Sequence, residues 1–239
     1  MPLLEGENVT KYFGGLAAIV NVDFHINQGE ILGLIGPNGA GKTTLFNLIS
    51  GALPLTSGTI RFKGENITRL TPDQTCKRRV VRTFQAGNLF TKMTVLDNVL
   101  LGALFGTSKG ARFHDARRGA MELLEFVGLS GKEDFPASDL TLAAQKRLEV
   151  ARALATKPEL LLLDEVMAGL NPSEVGQSLE LVKEIRDKGI TVFMIEHVMK
   201  AIMGISDRVM VLDHGEKIAE GTPKEIATSK TVIKVYLGE

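Results

Sequence analysis

Residues 36–44 read GPNGAGKTT and fit the pattern G-x-x-x-x-G-K-[ST]. The preceding residues 31–35 are almost wholly apolar, which is typical of a strand buried on both faces. Residues 44–50 have the pattern of a helix that ends before Gly51. In a strand–loop–helix of this kind, the backbone N–H groups of the glycine loop converge on an anion and the helix dipole adds positive potential. The stretch therefore predicts a phosphate-binding loop.

The loop supplies a set of candidate ligands for a nucleotide. They are Gly36, Pro37, Asn38, Gly39, Ala40, Gly41, Lys42, Thr43 and Thr44. We expect Lys42 to reach the β- and γ-phosphates and the Thr43 hydroxyl to bind Mg²⁺. The alternative is a chance match in a glycine-rich turn. With average residue usage, the four constrained positions coincide in roughly one chain of this length in a hundred, so we interpret the stretch as a nucleotide site.

The composition limits the classes of partner. The 239 residues carry 28 basic and 28 acidic side chains, and this zero net charge gives no global field for nucleic acid or an anionic membrane. The basic cluster Lys109, Arg112, Arg117 and Arg118 is interpreted as a solvated helix face. The single cysteine, Cys76, excludes a disulfide framework and favours a reducing compartment. We expect no signal peptide, because residues 1–7 have neither a basic region nor an apolar core. We expect no membrane span either, because no apolar run approaches ~20 residues.

Strand and helix patterns alternate along the chain. The predicted strands are 20–27, 31–35, 59–62, 80–84, 160–163, 191–195, 208–212 and 217–219. The predicted helices lie within 44–50, 94–129 (with a break at 106–110), 143–155 and 175–185, and short helices follow Pro223. This alternation predicts an α/β fold with a mainly parallel sheet core, to which the early hairpins add an antiparallel layer. We expect a single domain, with a core of residues 1–87 and 155–239 and a helical subdomain inserted at 88–154.

Two periodic patterns predict which side chains are buried. Residues 20–26 alternate between apolar and polar, from Val20 to Ile26, which indicates a half-buried strand. Met121, Leu124 and Val127 recur at helical spacing and are interpreted as an apolar stripe that packs in the core.

Polar residues follow several of the apolar strands. In parallel sheets, ligands bind at the carboxyl ends of the strands. The phosphate loop follows one predicted strand, Gln85 a second, Asp164-Glu165 a third and Glu196-His197 a fourth. If these strands are neighbours, all four groups converge on one nucleotide.

The two carboxylates after the four leucines of 160–163 have distinct predicted roles. A carboxylate at the end of so apolar a run is costly to bury unless it is paired or near a cation. We expect Asp164 to hold Mg²⁺ through water, because Mg²⁺ keeps much of its hydration shell. Glu165 would orient or deprotonate the water that attacks the γ-phosphate. The alternative is a pair of carboxylates exposed at a strand end.

A histidine and an aromatic residue complete the predicted site. His197 follows an apolar strand and is interpreted as a γ-phosphate contact rather than a structural histidine. His214 is interpreted as a turn residue. Tyr12 and Phe13 are either core aromatics or an adenine platform, and we expect Phe13 to stack on adenine.

The order of these motifs resembles that of the ATP-binding subunit of ABC transporters. The resemblance covers nearly the whole chain through seven motifs, at Phe13, 36–44, Gln85, 140–147, 160–165, 169–172 and His197. Within that family the chain resembles the LivG-type subunit of branched-chain amino acid importers, in residues 13–16, 82–85, 88–90, 93–95 and 236–239. A similar tail occurs in lipopolysaccharide-export ATPases, so the tail alone discriminates little.

The resemblance implies a P-loop NTPase (RecA-like) fold and a head-to-tail pair of subunits that sandwiches two ATP molecules. The implied catalytic residues are Lys42, Gln85, Glu165 and His197, and the implied Mg²⁺ ligands are Thr43, Gln85 and Asp164. The partner subunit would contribute residues 140–144, with Thr141 and Ala143 facing the γ-phosphate. Gln85 would report loss of the γ-phosphate to a membrane subunit docked near residues 84–93.

The implied function is ATP hydrolysis that powers import of small solutes, branched-chain or other hydrophobic amino acids, at the cytoplasmic face of the membrane. The implied partners are a second ATP-binding subunit (a copy or a paralogue), transmembrane permease subunits and, indirectly, a solute-binding protein. We expect no nucleic acid partner. Amides, urea and other small solutes remain alternatives for the cargo.

Two stretches depart from the family pattern. Residues 140–144 read Leu-Thr-Leu-Ala-Ala where the family has Leu-Ser-Gly-Gly-Gln, so Leu142 and Ala143 replace glycines that allow close backbone approach. Val166-Met167 replaces a proline and a small residue. We expect ATP sandwiching to be retained and leave the hydrolysis rate open. The alternative functions are a soluble, non-transport ABC ATPase and a nucleotide-switched binding module with very slow hydrolysis.

Overall fold

The computed structural model describes residues 2–83, 89–106 and 112–237. Its strands are β1 (Pro2–Phe13), β2 (Leu16–Asn27), β3 (Ile31–Ile35), β4 (Ser57–Phe62), β5 (Glu65–Asn66), β6 (Val80–Arg82), β7 (Leu160–Asp164), β8 (Thr191–Ile195), β9 (Arg208–Asp213) and β10 (Glu216–Gly221). Its α-helices are α1 (Lys42–Ile49), α2 (Pro72–Lys77), α3 (Val95–Phe105), α4 (Phe113–Phe126), α5 (Leu142–Ala155), α6 (Pro172–Asp187), α7 (Met199–Ile205), α8 (Pro223–Thr228) and α9 (Lys230–Leu237).

Within the described residues, the strands form two sheets. The larger has the order β10-β9-β3-β8-β7-β6, in which only β10 runs antiparallel to its neighbour. The smaller has the order β2-β1-β4-β5 and is antiparallel throughout. The predicted α/β fold, with a mainly parallel core and an antiparallel layer, is confirmed.

The parallel sheet is buried on both faces, which explains its continuous apolar strands. In β7, Leu161 and Leu163 pack with the helices α3 to α6, whereas Leu160 and Leu162 pack with α1 and the antiparallel sheet. All five residues of β3, of β7 and of β8 are buried. Each of these strands therefore joins two hydrophobic cores, and a residue at its carboxyl end has little freedom to move.

The helices α3, α4 and α5 contact one another within the stretch that the sequence assigns to a helical subdomain. Thr94 caps α3 by accepting a hydrogen bond from the Asp97 N–H at 3.0 Å. The boundaries of that subdomain, 88–154, stay a prediction. Among the described residues, no helix combines the length and the apolarity that a transmembrane span requires.

Two burial predictions are wrong in detail. Met121 is 36% exposed, because the buried stripe of α4 runs through Ala116, Ala120 and Leu124 at i, i+4 and i+8. In β2, Ile19 is fully buried where the alternation predicted Val20. The reason is a register irregularity of β2 against β1 near Asn21, whose φ is +45°.

Candidate active site

The carboxyl ends of β3, β8 and β7 lie side by side, because these strands are parallel and adjacent. They bring the phosphate loop, His197 and the pair Asp164-Glu165 to one edge of the sheet. The next strand is β6, which ends at Arg82. Gln85, which the sequence places after this strand, lies outside the described residues. The structure thus brings together the other groups expected at the strand ends.

The phosphate loop packs so closely on its neighbours that two of its positions require glycine. Gly36 has φ +153°, and a Cβ there would lie 2.2 Å from the Leu212 carbonyl oxygen. Gly41 has φ +99°, and a Cβ there would lie 2.5 Å from the Ala18 carbonyl oxygen. These contacts fix the loop between β9 and β2.

The amino terminus of α1 is open to an anion. Gly41 is its N-cap and supplies no side-chain hydrogen bond, so the first N–H groups of the helix are left for another acceptor. Thr43 and Thr44 are partly exposed there, and Asn38 and Gly39 are exposed at the tip of the loop. Pro37 is partly exposed, and the buried Ala40 accepts a hydrogen bond from the Gly215 N–H at 3.1 Å.

Lys42 is folded back into the loop. Its ammonium donates to the carbonyl oxygens of Gly36 (2.7 Å) and Pro37 (2.9 Å), and the residue is 6% exposed. Burial lowers the pKa of the Lys42 ammonium, and the nearby carboxylates of Glu165 and Asp164 oppose that shift. Lys42 therefore faces both acidic residues at the end of β7.

Asp164 is fully buried and paired with an arginine that the sequence reasoning missed. Arg82 donates to Asp164 Oδ2 at 2.6 Å, hydrogen bonds Asn47 and lies 5.8 Å from the centre of the Phe46 ring. The two paired side chains are 5% and 0% exposed. The available signal was Arg82 itself, a charge inside the predicted strand 80–84, since a charge that becomes buried needs a partner.

Glu165 pairs with His197 across two neighbouring strand ends. His197 Nε2 lies 2.7 Å from Glu165 Oε1, and the side chains are 48% and 19% exposed. Glu165 has φ +53°, a left-handed conformation that turns the chain after β7. The alternative of two exposed carboxylates does not describe this pair, because Asp164 is buried and Glu165 is mostly covered.

Two more ionisable side chains contact the backbone of this turn: Lys146, which the sequence analysis does not single out, and Glu196, which it places at the strand end beside His197 without a separate role. Lys146, on α5, donates to the Glu165 carbonyl oxygen at 3.4 Å. Glu196, directly after β8, accepts a hydrogen bond from the Met167 N–H at 2.9 Å. Burial raises the pKa of the Glu196 carboxyl to about 7. Nothing in the pattern of α5 separates Lys146 from solvent-facing lysines, so only the packing identifies it.

The donors present suit Mg²⁺ bound largely through water and phosphate. Among the described residues, no three His, Cys, Asp or Glu side chains cluster as a metal site. The buried Asp164 Oδ1 has no hydrogen-bond partner in the described part of the chain, so one carboxylate oxygen is available to a metal-bound water. The Thr43 hydroxyl lies in the first turn of α1, after β3, which β8 separates from β7.

The remaining predicted contacts lie on other elements. Phe13 ends β1 and is 45% exposed, and Tyr12 is 43% exposed, so exposure does not choose between them. The Lys11 ammonium lies 5.0 Å from the centre of the Phe13 ring. Thr141 caps α5 by accepting from the Ala144 N–H at 3.4 Å. With the partly exposed Ala143, it forms the outer end of a helix that packs on α3 and α4.

Comparison with known proteins assigns the chain to a family. The model of the ABC transporter family matches residues 19–168, and that of the branched-chain amino acid ATP-binding cassette transporter matches residues 216–239. The high-affinity branched-chain amino acid transport ATP-binding protein LivG of Salmonella typhimurium is 43% identical over 251 aligned residues, covering 100% of this chain and 98% of the relative.

Solved structures agree with this assignment. A nucleotide-free ATP-binding cassette from an ABC transporter superposes with a TM-score of 0.91 at 33% identity, covering 100% of both chains. A dimeric post-hydrolysis state of an ATP-binding cassette, bound to ADP and Pi, superposes with a TM-score of 0.83 at 28% identity, covering 92% of this chain and 98% of that one. The chain belongs to the ATP-binding family of ABC transporters and is an ATPase of that family.

Proposed function

We propose that ATP hydrolysis by this chain powers the import of branched-chain or other hydrophobic amino acids. The observation that carries the proposal is the grouping of Lys42, Asp164, Glu165 and His197 at adjacent strand ends. The relative named LivG, and the match of residues 216–239 to a branched-chain amino acid cassette family, support the class of cargo.

In the proposed mechanism, the phosphates of ATP bind at the open start of α1. Their oxygens would take the place of the Gly36 and Pro37 carbonyls as acceptors for Lys42, which is already held at this position. Glu165 would accept the proton of the attacking water, and His197 would hold Glu165 and contact the γ-phosphate. Mg²⁺, held by Thr43, Asp164 and Gln85, would neutralise charge on the phosphates.

The proposed working unit is a pair of ATP-binding subunits. Thr141 and Ala143 lie at the outer end of α5, where N–H groups and the helix dipole suit a γ-phosphate carried by the partner. Phe13 is exposed, as an adenine platform requires. ATP would complete its contacts only when the two subunits close, so its binding shifts the pair towards the closed state.

Transmembrane permease subunits are the proposed membrane partners, with a solute-binding protein acting through them. A groove of about 380 Å³ runs between α2 and β6 on one side and α3 and α5 on the other. Phe90 lines it and is 52% exposed. This position supports docking near residues 84–93, which would hold the chain at the cytoplasmic face of the membrane.

Replacement of Glu165 by Gln tests the catalytic assignment. We expect Glu165→Gln to bind ATP as the wild type does and to lose turnover by about 10²–10⁴-fold, the range that a positioned acid–base group contributes. Phosphate release and nucleotide titration measure the two quantities. Glu180→Gln, an exposed glutamate on α6 paired with Lys183, is the matched control and should change neither.

Wild-type turnover in Glu165→Gln would refute the assignment. Negligible turnover in the wild type, even with its co-purified membrane subunits, would instead favour a nucleotide-switched binding module. The altered segment 140–144 motivates that second candidate, since Leu142 is 44% exposed where the family has glycine. Uptake of leucine, amides and urea by the reconstituted complex would identify the cargo.

A further inference from the structure

The turn that carries Glu165 is strained and needs support from its surroundings. Glu165 is not glycine, yet its φ is +53°. A side chain in this region costs on the order of 1 kcal/mol or more and persists only where neighbouring contacts determine it. The Glu165 N–H donates to the Ile195 carbonyl at 3.0 Å, and its carbonyl accepts from the Ala168 N–H at 3.2 Å. Two side chains from elsewhere in the fold add to these bonds.

The first of these side chains is Lys146. It is 6% exposed, and its ammonium donates to the Glu165 carbonyl oxygen at 3.4 Å. A lysine so buried is rare unless it is paired. Its charge interacts favourably with the carboxylates of Glu196 and Glu149. Lys146 therefore holds the backbone of Glu165 from the helix α5.

The second side chain is Glu196, which is 3% exposed. Its Oε1 accepts the Met167 N–H, two residues beyond Glu165. Val166 and Met167 are 4% and 1% exposed, so water does not replace this acceptor if it is lost. Since His197 follows Glu196, one dipeptide holds the Glu165 side chain on one side and the backbone of its turn on the other.

We propose that Lys146 and Glu196 are positioning residues that keep the Glu165 carboxylate directed at the attacking water. This inference rests on the proposed function of Glu165. Each of the two bonds the main chain of the turn and not the Glu165 carboxylate, so each would act on catalysis through the position of Glu165. Lys146 also lies on α5, whose amino-terminal end at Thr141 is proposed to contact the partner's ATP. The same helix would therefore link that contact to Glu165, the proposed base of this chain.

Lys146→Met is the primary test, because methionine keeps the length and apolar packing of the stem and removes the donor. In the full chain, we expect kcat for ATP hydrolysis to fall at least tenfold, while KM and the Kd for ADP change less than twofold. Lys183→Met is the matched control, since this lysine lies on α6 and its Glu180 partner is exposed. The control should keep the wild-type kcat.

Lys146→Met made in the Glu165→Gln variant separates a positioning role from a general loss of structure. In Glu165→Gln, adding Lys146→Met should cause no further loss, because the base through which Lys146 acts is already gone. A further tenfold loss there would overturn the proposal. Glu196→Gln keeps an oxygen that accepts the Met167 N–H and should keep kcat within about threefold, whereas Glu196→Leu should lower it at least tenfold.

The failures of the two proposals differ. An active wild type with Lys146→Met equal to it would overturn the positioning role alone. A rise in KM by the same factor as the fall in kcat would do the same, since it would indicate that the whole nucleotide site is disturbed and not only the position of Glu165. A wild type without ATPase activity would refute the proposed function, and the positioning role with it.

Discussion

The two halves of the parallel sheet end in similar residues but use them differently. On one side of β3, the strands β8, β7 and β6 end in polar side chains that pair between strands, as His197 does with Glu165 and Arg82 with Asp164. On the other side, β9 ends in Asp213 and the turn residue His214. These two pair with each other at 2.8 Å, and the His214 side chain is 92% exposed.

The two strand ends carry the same residue types and differ in what the histidine pairs with: His197 pairs with a residue at the end of the next strand, and His214 pairs with its own neighbour in the chain. Both strand ends combine an apolar run, a carboxylate and a histidine. His214 (φ +45°) and Gly215 (φ +83°) close a two-residue hairpin into β10, which directs His214 into solvent. The chain after β8 leaves the sheet instead, so His197 meets Glu165 on β7. We therefore expect a chemical role where side chains pair between strands, and loss of such a pair should have effects that loss of a local pair does not.

The largest expected effect is a difference in the free energy of unfolding between loss of a pair that joins two strands and loss of a local pair on the other side of β3. Arg82→Met leaves Asp164 buried without its counter-charge, and breaking such a pair costs about 3–5 kcal/mol. Lys217→Met is the matched change on the other side, where Lys217 pairs locally with Glu220 and is 29% exposed. It should cost about 0.2–1 kcal/mol. Chemical denaturation at equilibrium measures both, and equal costs would contradict the distinction.

The next effect separates the two histidines by activity. His197→Ala should lower kcat for ATP hydrolysis by about 10²-fold, the low end for a positioned catalytic group, because Glu165 loses its partner. His214→Ala removes an exposed turn side chain and should change kcat less than twofold. Phosphate release at saturating ATP measures both. A comparable loss in the two variants would show that strand-end pairing does not mark the active half.

The smallest effect concerns the buried carboxyl beside His197. The pKa of Glu196 is raised to about 7, so its contribution to stability is present below its ordinary pKa and is lost as pH rises through 7. Glu196→Gln does not titrate. Its free energy of unfolding relative to wild type should therefore rise by roughly 1–3 kcal/mol between pH 5 and pH 8. A pH-independent difference would place Glu196 in a more polar environment than the structure gives.

The fold, and those parts of the site that depend on residues adjacent in sequence, can be predicted from the sequence for physical reasons. Continuous apolar runs give buried parallel strands, and the glycines of 36–44 give a loop that only glycine can form at Gly36 and Gly41. Turn chemistry also identified His214. Such features depend on neighbours in the chain.

Cross-strand and cross-layer partners could not be derived in the same way. Arg82 meets Asp164, 82 positions away, only because β6 lies beside β7. Lys146 reaches Glu165 because α5 packs behind the sheet, and no periodicity of that helix predicts it. The spacing of Met121 predicts a core position, but the buried stripe of α4 is centred on Ala120.

A structure of the Glu165→Gln variant with ATP and Mg²⁺ tests the central claim most directly. We predict a pair of chains in which one γ-phosphate contacts Lys42 and His197 of one chain and the Thr141–Ala143 N–H groups of the other. A nucleotide whose γ-phosphate lies away from the ends of β7 and β8 would contradict the account.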